Sequence, residues 1–197
     1  MAALLDSVSY LLSETSPERL GPCTAEIAFV GRSNVGKSSL LNALCKKDIA
    51  RVSKTPGRTR AINVFVAGRP DRWLVDLPGY GYAEGPAEER EGWGPMIEGY
   101  LTGRPSLKMI FLLIDSKVGP TKLDLSMRDW LYSSRLPWRA VATKSDQVKP
   151  SKMVVRRRAL AQALSVSPES VAWVSSAKQL GIKELRAEAT GFLERVD

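Results

Sequence analysis

The chain has 197 residues, 44% hydrophobic and 25% charged, a balance that fits one globular domain with a sizeable core. Lysine and arginine number 29 against 21 acids, a net +8 with pI near 9.7; this points to a polyanionic partner such as RNA, or to a basic surface that serves solubility. The lack of histidine excludes His-based triads, His metal sites and histidine proton shuttles. Cys23 and Cys45, without CxxC spacing, argue against a zinc site or disulfide framework and suit a reducing, cytoplasmic setting. The longest apolar run, Met109 to Ile114, is too short to span a membrane, and the first residues do not read as a secretory signal.

Met1 to Pro22 reads as a leader segment. Leu4-Leu5, Val8 and Tyr10-Leu11-Leu12 predict a short amphipathic piece packing on the body, broken at Ser16-Pro17 and Gly21-Pro22. From Cys23 to Asp197 the chain reads as a single domain. Thr24 to Val30 predicts a strand, and Ser39 to about Lys47 a helix. Between them Gly31-Arg32-Ser33-Asn34-Val35-Gly36-Lys37-Ser38 fits the P-loop pattern in its required strand–loop–helix context. The glycines let the backbone curl so that its N–H groups point at phosphate oxygens, and the helix start adds partial positive charge there. Lys37 is then placed for β- and γ-phosphates and Ser38 for magnesium, with Ser39 opening the helix.

Asp48 to Arg60 has little periodicity and reads as a polar basic loop. In Thr55-Pro56-Gly57-Arg58-Thr59 both threonines are candidates to close on magnesium and a γ-phosphate, with Thr59 preferred. Ala61 to Ala67 alternates as a strand, Gly68 to Asp71 is a turn, and Trp73 to Asp76 is a second strand, together an antiparallel hairpin. Asp76-Leu77-Pro78-Gly79 places an acid at a strand end for magnesium and offers the Gly79 N–H to the γ-phosphate. Ala87 to Leu101 predicts a helix, Leu107 to Asp115 a strand covered on both faces, and Leu123 to Ser133 a helix.

Trp138 to Thr143 predicts a strand that delivers Thr143-Lys144-Ser145-Asp146. A carboxylate there accepts hydrogen bonds from guanine N1–H and the 2-amino group, both absent from adenine, while the lysine stem lies along the base. Ser151 to Leu164 reads as a basic helix carrying Lys152 and Arg156 to Arg158, a solvated face or an RNA contact. Val171 to Val174 predicts the last strand, followed by Ser175-Ser176-Ala177, whose backbone is placed for the guanine O6; Gly181 to Val196 predicts the closing amphipathic helix.

The elements predict an α/β fold: a mostly parallel central sheet with one antiparallel edge hairpin strand, helices on both faces, and ligand groups at the carboxyl ends of the strands. The motif order resembles the Ras-like P-loop GTPases of the translation-factor class. Gly31 to Ser39, Thr55 to Thr59 and Asp76-Leu77-Pro78-Gly79-Tyr80-Gly81-Tyr82-Ala83 narrow the resemblance to the EngB family of ribosome-biogenesis GTP-binding proteins. The resemblance implies a single-domain, cytoplasmic GTPase that binds GTP and GDP with Mg2+ held by Ser38, Thr59 and Asp76; a monomer is the default expectation. It implies Lys37, Thr59 and Gly79 as catalytic groups. It also implies association with the large ribosomal subunit or its precursor, through ribosomal RNA or protein, and a role in cell division. In related GTPases an asparagine at the place of Asn34 helps bind K+. Where many GTPases carry a water-orienting glutamine this chain has Tyr80, so slow intrinsic hydrolysis is expected. The alternative is a ribosome- or RNA-binding module that uses guanine nucleotide as a sensor. A P-loop kinase or ATPase would leave Thr143 to Asp146 without a purpose.

Overall fold

The computed structural model describes residues 4–50, 61–81 and 94–195. Seven strands form one sheet in the order β1-β3-β4-β2-β5-β6-β7. They are β1 (Val8–Glu14), β2 (Ala25–Gly31), β3 (Ile62–Ala67), β4 (Arg69–Asp76), β5 (Leu107–Asp115), β6 (Trp138–Thr143) and β7 (Val171–Trp173). The pairs from β4 through β2, β5, β6 and β7 are parallel, whereas β3 is antiparallel to both β1 and β4. The reversed strand of the hairpin is therefore one in from the edge. The stretch read as a leader supplies the edge strand β1, and Leu4 and Leu5 beneath it are buried.

The described residues contain five α-helices: α1 (Lys37–Cys45), α2 (Gly94–Gly103), α3 (Lys122–Ser133), α4 (Met153–Leu164) and α5 (Ile182–Glu194). Period-two alternation in the central strands sorts them onto two faces. Ala28 and Val30 of β2 and Ile110, Leu112 and Ile114 of β5 point into the cluster that α2, α3 and α4 cover. Ile27, Phe29, Phe111 and Leu113 point to the other side, where α1 contributes Leu40, Leu41 and Leu44, and α5 contributes Ile182, Leu185, Ala189 and Leu193. Both faces of β2 and β5 are thereby dry over Ile27–Val30 and Ile110–Ile114, which is why those stretches read as unbroken apolar runs.

The predicted strands Leu107–Asp115 and Trp138–Thr143 match residue for residue. The turn predicted over Gly68 to Asp71 is shorter. Gly68 alone turns, at φ 68, and β4 begins at Arg69. Pro70 is tolerated in that strand because pairing with β2 starts only at Arg72. At the amino ends of the strands Glu26 is fully buried, accepting hydrogen bonds from Tyr100 Oη (2.8 Å), Arg104 Nε (2.7 Å) and Ser106 Oγ (2.7 Å). This network ties α2 and the following turn to β2 at the end of the sheet remote from the P-loop.

Candidate guanine-nucleotide site

Because β2, β4, β5, β6 and β7 run parallel, the loops after them gather at one end of the sheet. The chain moves to opposite sides of β2, making the crevice at its carboxyl end a topological switch point. The P-loop leaves β2 there. Asn34 (φ 63) and Gly36 (φ 106) adopt left-handed backbone and curl the loop before α1 begins. Gly36 is the N-cap of α1 and no side chain caps the helix, so its first-turn N–H groups are available to an anion.

Lys37 is buried, and its Nζ donates to the Gly31 carbonyl at 3.3 Å. Burial lowers the Lys37 pKa and the nearby Asp76 charge opposes that shift. Asp76, 3% exposed at the end of β4, is pushed by burial up to about 6, with Lys37 opposing. Its Oδ1 has no hydrogen-bond partner among the described residues. An acceptor held dry and unpaired fits a magnesium ion or its bound water. Together with the half-buried Ser38 hydroxyl it makes the oxygen-only donor set a hard cation takes. Thr55, Pro56, Gly57, Arg58 and Thr59, also assigned to this end, lie outside the described residues.

The segment after Asp76 is laid against the P-loop. Leu77 is buried in the core and seats the segment rather than facing a ligand; Pro78 is half-buried. Gly79 passes so close that a Cβ there would lie 2.9 Å from Ser33 backbone atoms. Ser33 Oγ donates to the Gly79 carbonyl at 3.2 Å and Ser33 N–H to the Tyr80 carbonyl at 3.0 Å, beside a bridge between Arg32 and Tyr80. The Tyr80 side chain is turned into the core, 3% exposed, with its hydroxyl donating to Asp124 Oδ1 at 2.9 Å. Asp124 Oδ2 meanwhile accepts from Thr121 N–H and Oγ1, closing the capping box at the start of α3.

The Thr143–Asp146 end, the candidate for guanine, is braced on the same loop. Thr143 Oγ1 donates to the carbonyls of Val35 (2.7 Å) and Ile114 (3.2 Å). Lys144 Nζ donates to the Asn34 carbonyl (2.8 Å) and pairs with Asp115 Oδ2 (2.7 Å). Buried Ser145 donates its N–H to the Val174 carbonyl. Asp146 is exposed, and Ser175 Oγ, fully buried, donates to its Oδ1 at 2.5 Å. That bond fixes the carboxylate at the mouth of a cleft of about 690 Å³ lined by Gly36, Ser39, Thr143, Asp146, Ser176 and Ala177, within the size range of small-ligand sites.

The described motif residues are thus brought together at one end of the sheet. Three residues with roles here were missed. Asp115 holds Lys144; its place at a strand end was the available signal. Asn42 Oδ1 accepts from Ile49 and Ala50 N–H (3.0 and 2.8 Å) and so anchors the start of the basic loop; an asparagine inside a helix was the hint. Asp124 was legible as part of Thr-x-x-Asp before an apolar run.

The family model described as "50S ribosome-binding GTPase" matches residues 26–144. The probable GTP-binding protein EngB of Thermotoga maritima is 52% identical over 130 residues, 66% of either chain. That of Geobacter sulfurreducens is 41% identical over 179 residues, 90% of this chain and 86% of the relative. A crystal structure of a probable GTP-binding protein EngB superposes with a TM-score of 0.70 at 25% identity, covering 87% of this chain and all of the other. With buried Lys37, the strand-end Asp76 and exposed Asp146 gathered at one crevice, the chain belongs to the EngB family of GTP-binding proteins, a family of P-loop GTPases.

Proposed function

We propose that this protein is a GTP-hydrolysing switch acting in assembly of the large ribosomal subunit, with normal cell division depending on it, and that it works in the cytoplasm as a monomer. The observation that carries the nucleotide part is the two-ended crevice: Lys37 and Asp76 buried at the phosphate end, Asp146 held by Ser175 at the base end. The +8 charge and the ribosome-binding description of the family support the ribosomal part.

In hydrolysis a water attacks the γ-phosphorus, the bond to the β–γ bridging oxygen breaks, and GDP leaves with inorganic phosphate. Lys37 and the first-turn amides of α1 offset the charge that builds on the phosphate oxygens. Ser38, Asp76 and Thr59 would hold Mg2+, which neutralises charge on the β- and γ-phosphate oxygens when bound. Gly79 and Thr59 close on the γ-phosphate and reopen on its loss. The Tyr80 ring, packed in the core on Asp124, does not orient water, so backbone groups or the ribosomal partner must do so and intrinsic turnover is slow. Asn34 would help hold K+; equal turnover in potassium and sodium removes that assignment.

The same sequestered Tyr80 favours one second reading, a nucleotide sensor with negligible turnover. Single-turnover GTP hydrolysis with and without purified large ribosomal subunits separates the two. Slow turnover accelerated by the particles supports the switch. Binding of particles without turnover supports the sensor. Absence of binding in either nucleotide state refutes both ribosomal readings.

A further inference from the structure

Between Asp146 and Glu169 the chain carries five lysines and arginines and no acid. The structure divides them by what they already do. Arg156 is committed internally: its guanidinium donates to the carbonyls of Lys117 (3.2 Å) and Val118 (3.5 Å), fastening the loop after β5 to α4. Arg157 is stacked over Trp173, 5.5 Å from the ring centroid. Lys149, Lys152 and Arg158 are exposed and have no ion pair or hydrogen bond among the described residues. Lys152, Val155 and Arg158 follow at three-residue spacing on the side of α4 away from its buried Leu160, Ala161 and Leu164, so a 70% exposed valine is flanked by two free cations. The Arg156 bonds bring exposed Lys117 alongside, and exposed Lys122 starts α3 shortly after it. Of the acids on the elements beside this face, Asp115 pairs with Lys144, Asp124 accepts from Tyr80 and Thr121, and Asp129 pairs with Arg128; exposed Glu169 lies on the Arg157–Trp173 side of α4.

We propose that the outward face of α4, with Lys149, Lys152 and Arg158 as its contacts and Lys117 and Lys122 beside it, docks the phosphate backbone of RNA. The proposal rests on the ribosomal reading above and assigns that reading a surface. Charge complementarity selects the partner. The cations of this face stand several residues apart, and its exposed apolar residues are valines (Val118, Val154, Val155) rather than aromatics. That suits a chain of phosphates read by charge and hydrogen bonding. A membrane-surface helix needs bulky apolar residues to bury, and a protein groove needs an anchoring side chain. The segment starts three residues past Asp146, so docked RNA lies next to the guanine end of the cleft.

The test is binding of the full-length protein, with GTP analogue, to labelled large-subunit ribosomal RNA across a salt series. Three proteins are compared: wild type, Lys149→Ala/Lys152→Ala/Arg158→Ala, and a charge-matched control, Arg19→Ala/Arg69→Ala/Lys183→Ala, whose exposed cations lie on other elements. Each lost phosphate contact flattens the log–log salt slope by about 0.7–0.9. Raising salt from about 50 to about 200 mM should therefore weaken wild type about twenty- to fortyfold more than the α4 variant. The control should follow wild type, and GTP affinity should be unchanged in all three. An α4 variant with the wild-type slope, a control that loses as much, or a wild type that does not bind the RNA overturns the proposal. Loss confined to anionic phosphatidylglycerol vesicles overturns it in favour of a membrane. Failure of the ribosomal reading is read separately, as absence of binding to intact subunits.

Discussion

Tyr80 occupies the chain position where a glutamine would orient water, and its side chain is packed away from the nucleotide crevice. Tyr80→Phe keeps the ring in the core and deletes the hydroxyl that donates to Asp124 at 2.9 Å. Asp124 retains the two bonds from Thr121 through its other oxygen, so one buried bond to a charged group is lost, about 1.5–3 kcal/mol. Tyr80→Gln loses the ring as well. The residue is 3% exposed, so truncation adds a transfer and cavity penalty, for a total of about 3–5 kcal/mol. Neither change puts an amide at the γ-phosphate, because the vacated space points at α3. Urea unfolding gives the stabilities, and single-turnover hydrolysis at saturating GTP gives the rates. Both variants should be less stable, Gln more so, and the rates of folded protein should stay within about threefold of wild type. A tenfold gain for Tyr80→Gln, or no stability loss for Tyr80→Phe, refutes the reading that this side chain is packed where it cannot orient water.

Other consequences follow from buried charges and from the guanine reader. Asp76, raised from 3.8 to about 6, binds a proton more tightly folded than unfolded. Its contribution to the stability of nucleotide-free protein in EDTA is present below 3.8 and lost as pH rises through about 6. The stability difference between wild type and Asp76→Asn should therefore shift against wild type by about 2.4 kcal/mol from pH 4 to 7; a flat difference excludes a raised Asp76. Asp146→Asn should move nucleotide preference from guanine toward xanthine by at least tenfold in competition titrations, with ATP still rejected. Glu26→Ala leaves the buried Tyr100 hydroxyl without its acceptor and removes the Arg104 Nε partner, while Arg104 keeps its bonds to the Leu20 and Gly21 carbonyls. It should cost about 3–5 kcal/mol in chemical unfolding while GDP affinity measured at low temperature is unchanged.

The central strands were legible because both faces are buried. Met109–Ile114 is apolar throughout, and Lys108 and Asp115 bound the run. β1 was not legible, since its pattern carries no clean alternation: Tyr10 and Leu11 are both exposed, and the strand exists through pairing with β3, a partner some fifty residues away. In the site, the candidate ligand residues follow motif spacing, because phosphate and base would dictate them. The residues that hold those in place answer to geometry instead. Nothing in Ser175 or Asp115 as letters shows that one grips Asp146 and the other grips Lys144.

Lys144 shows most clearly what that second kind of residue does. As a stem lying along the base it would affect only guanine binding. The structure puts its ammonium on the Asn34 carbonyl of the P-loop and on Asp115, while neighbouring Thr143 holds the Val35 carbonyl. The candidate base end and phosphate end therefore share one frame, and loosening it should disturb binding at both. Lys144→Ala removes charge-assisted bonds worth about 1.5–3 kcal/mol, roughly ten- to a hundredfold in affinity. The distribution of that loss over ligands is the informative part. If Lys144 only packs on the base, guanosine, GMP, GDP and GTP lose equally. If it braces the P-loop, guanosine loses least, and GDP and GTP lose the full factor, because only they need the Asn34–Gly36 curl held in register with α1. Calorimetric titration of the four ligands decides it, and an equal loss across the series would show that the bond to Asn34 has no part in phosphate binding.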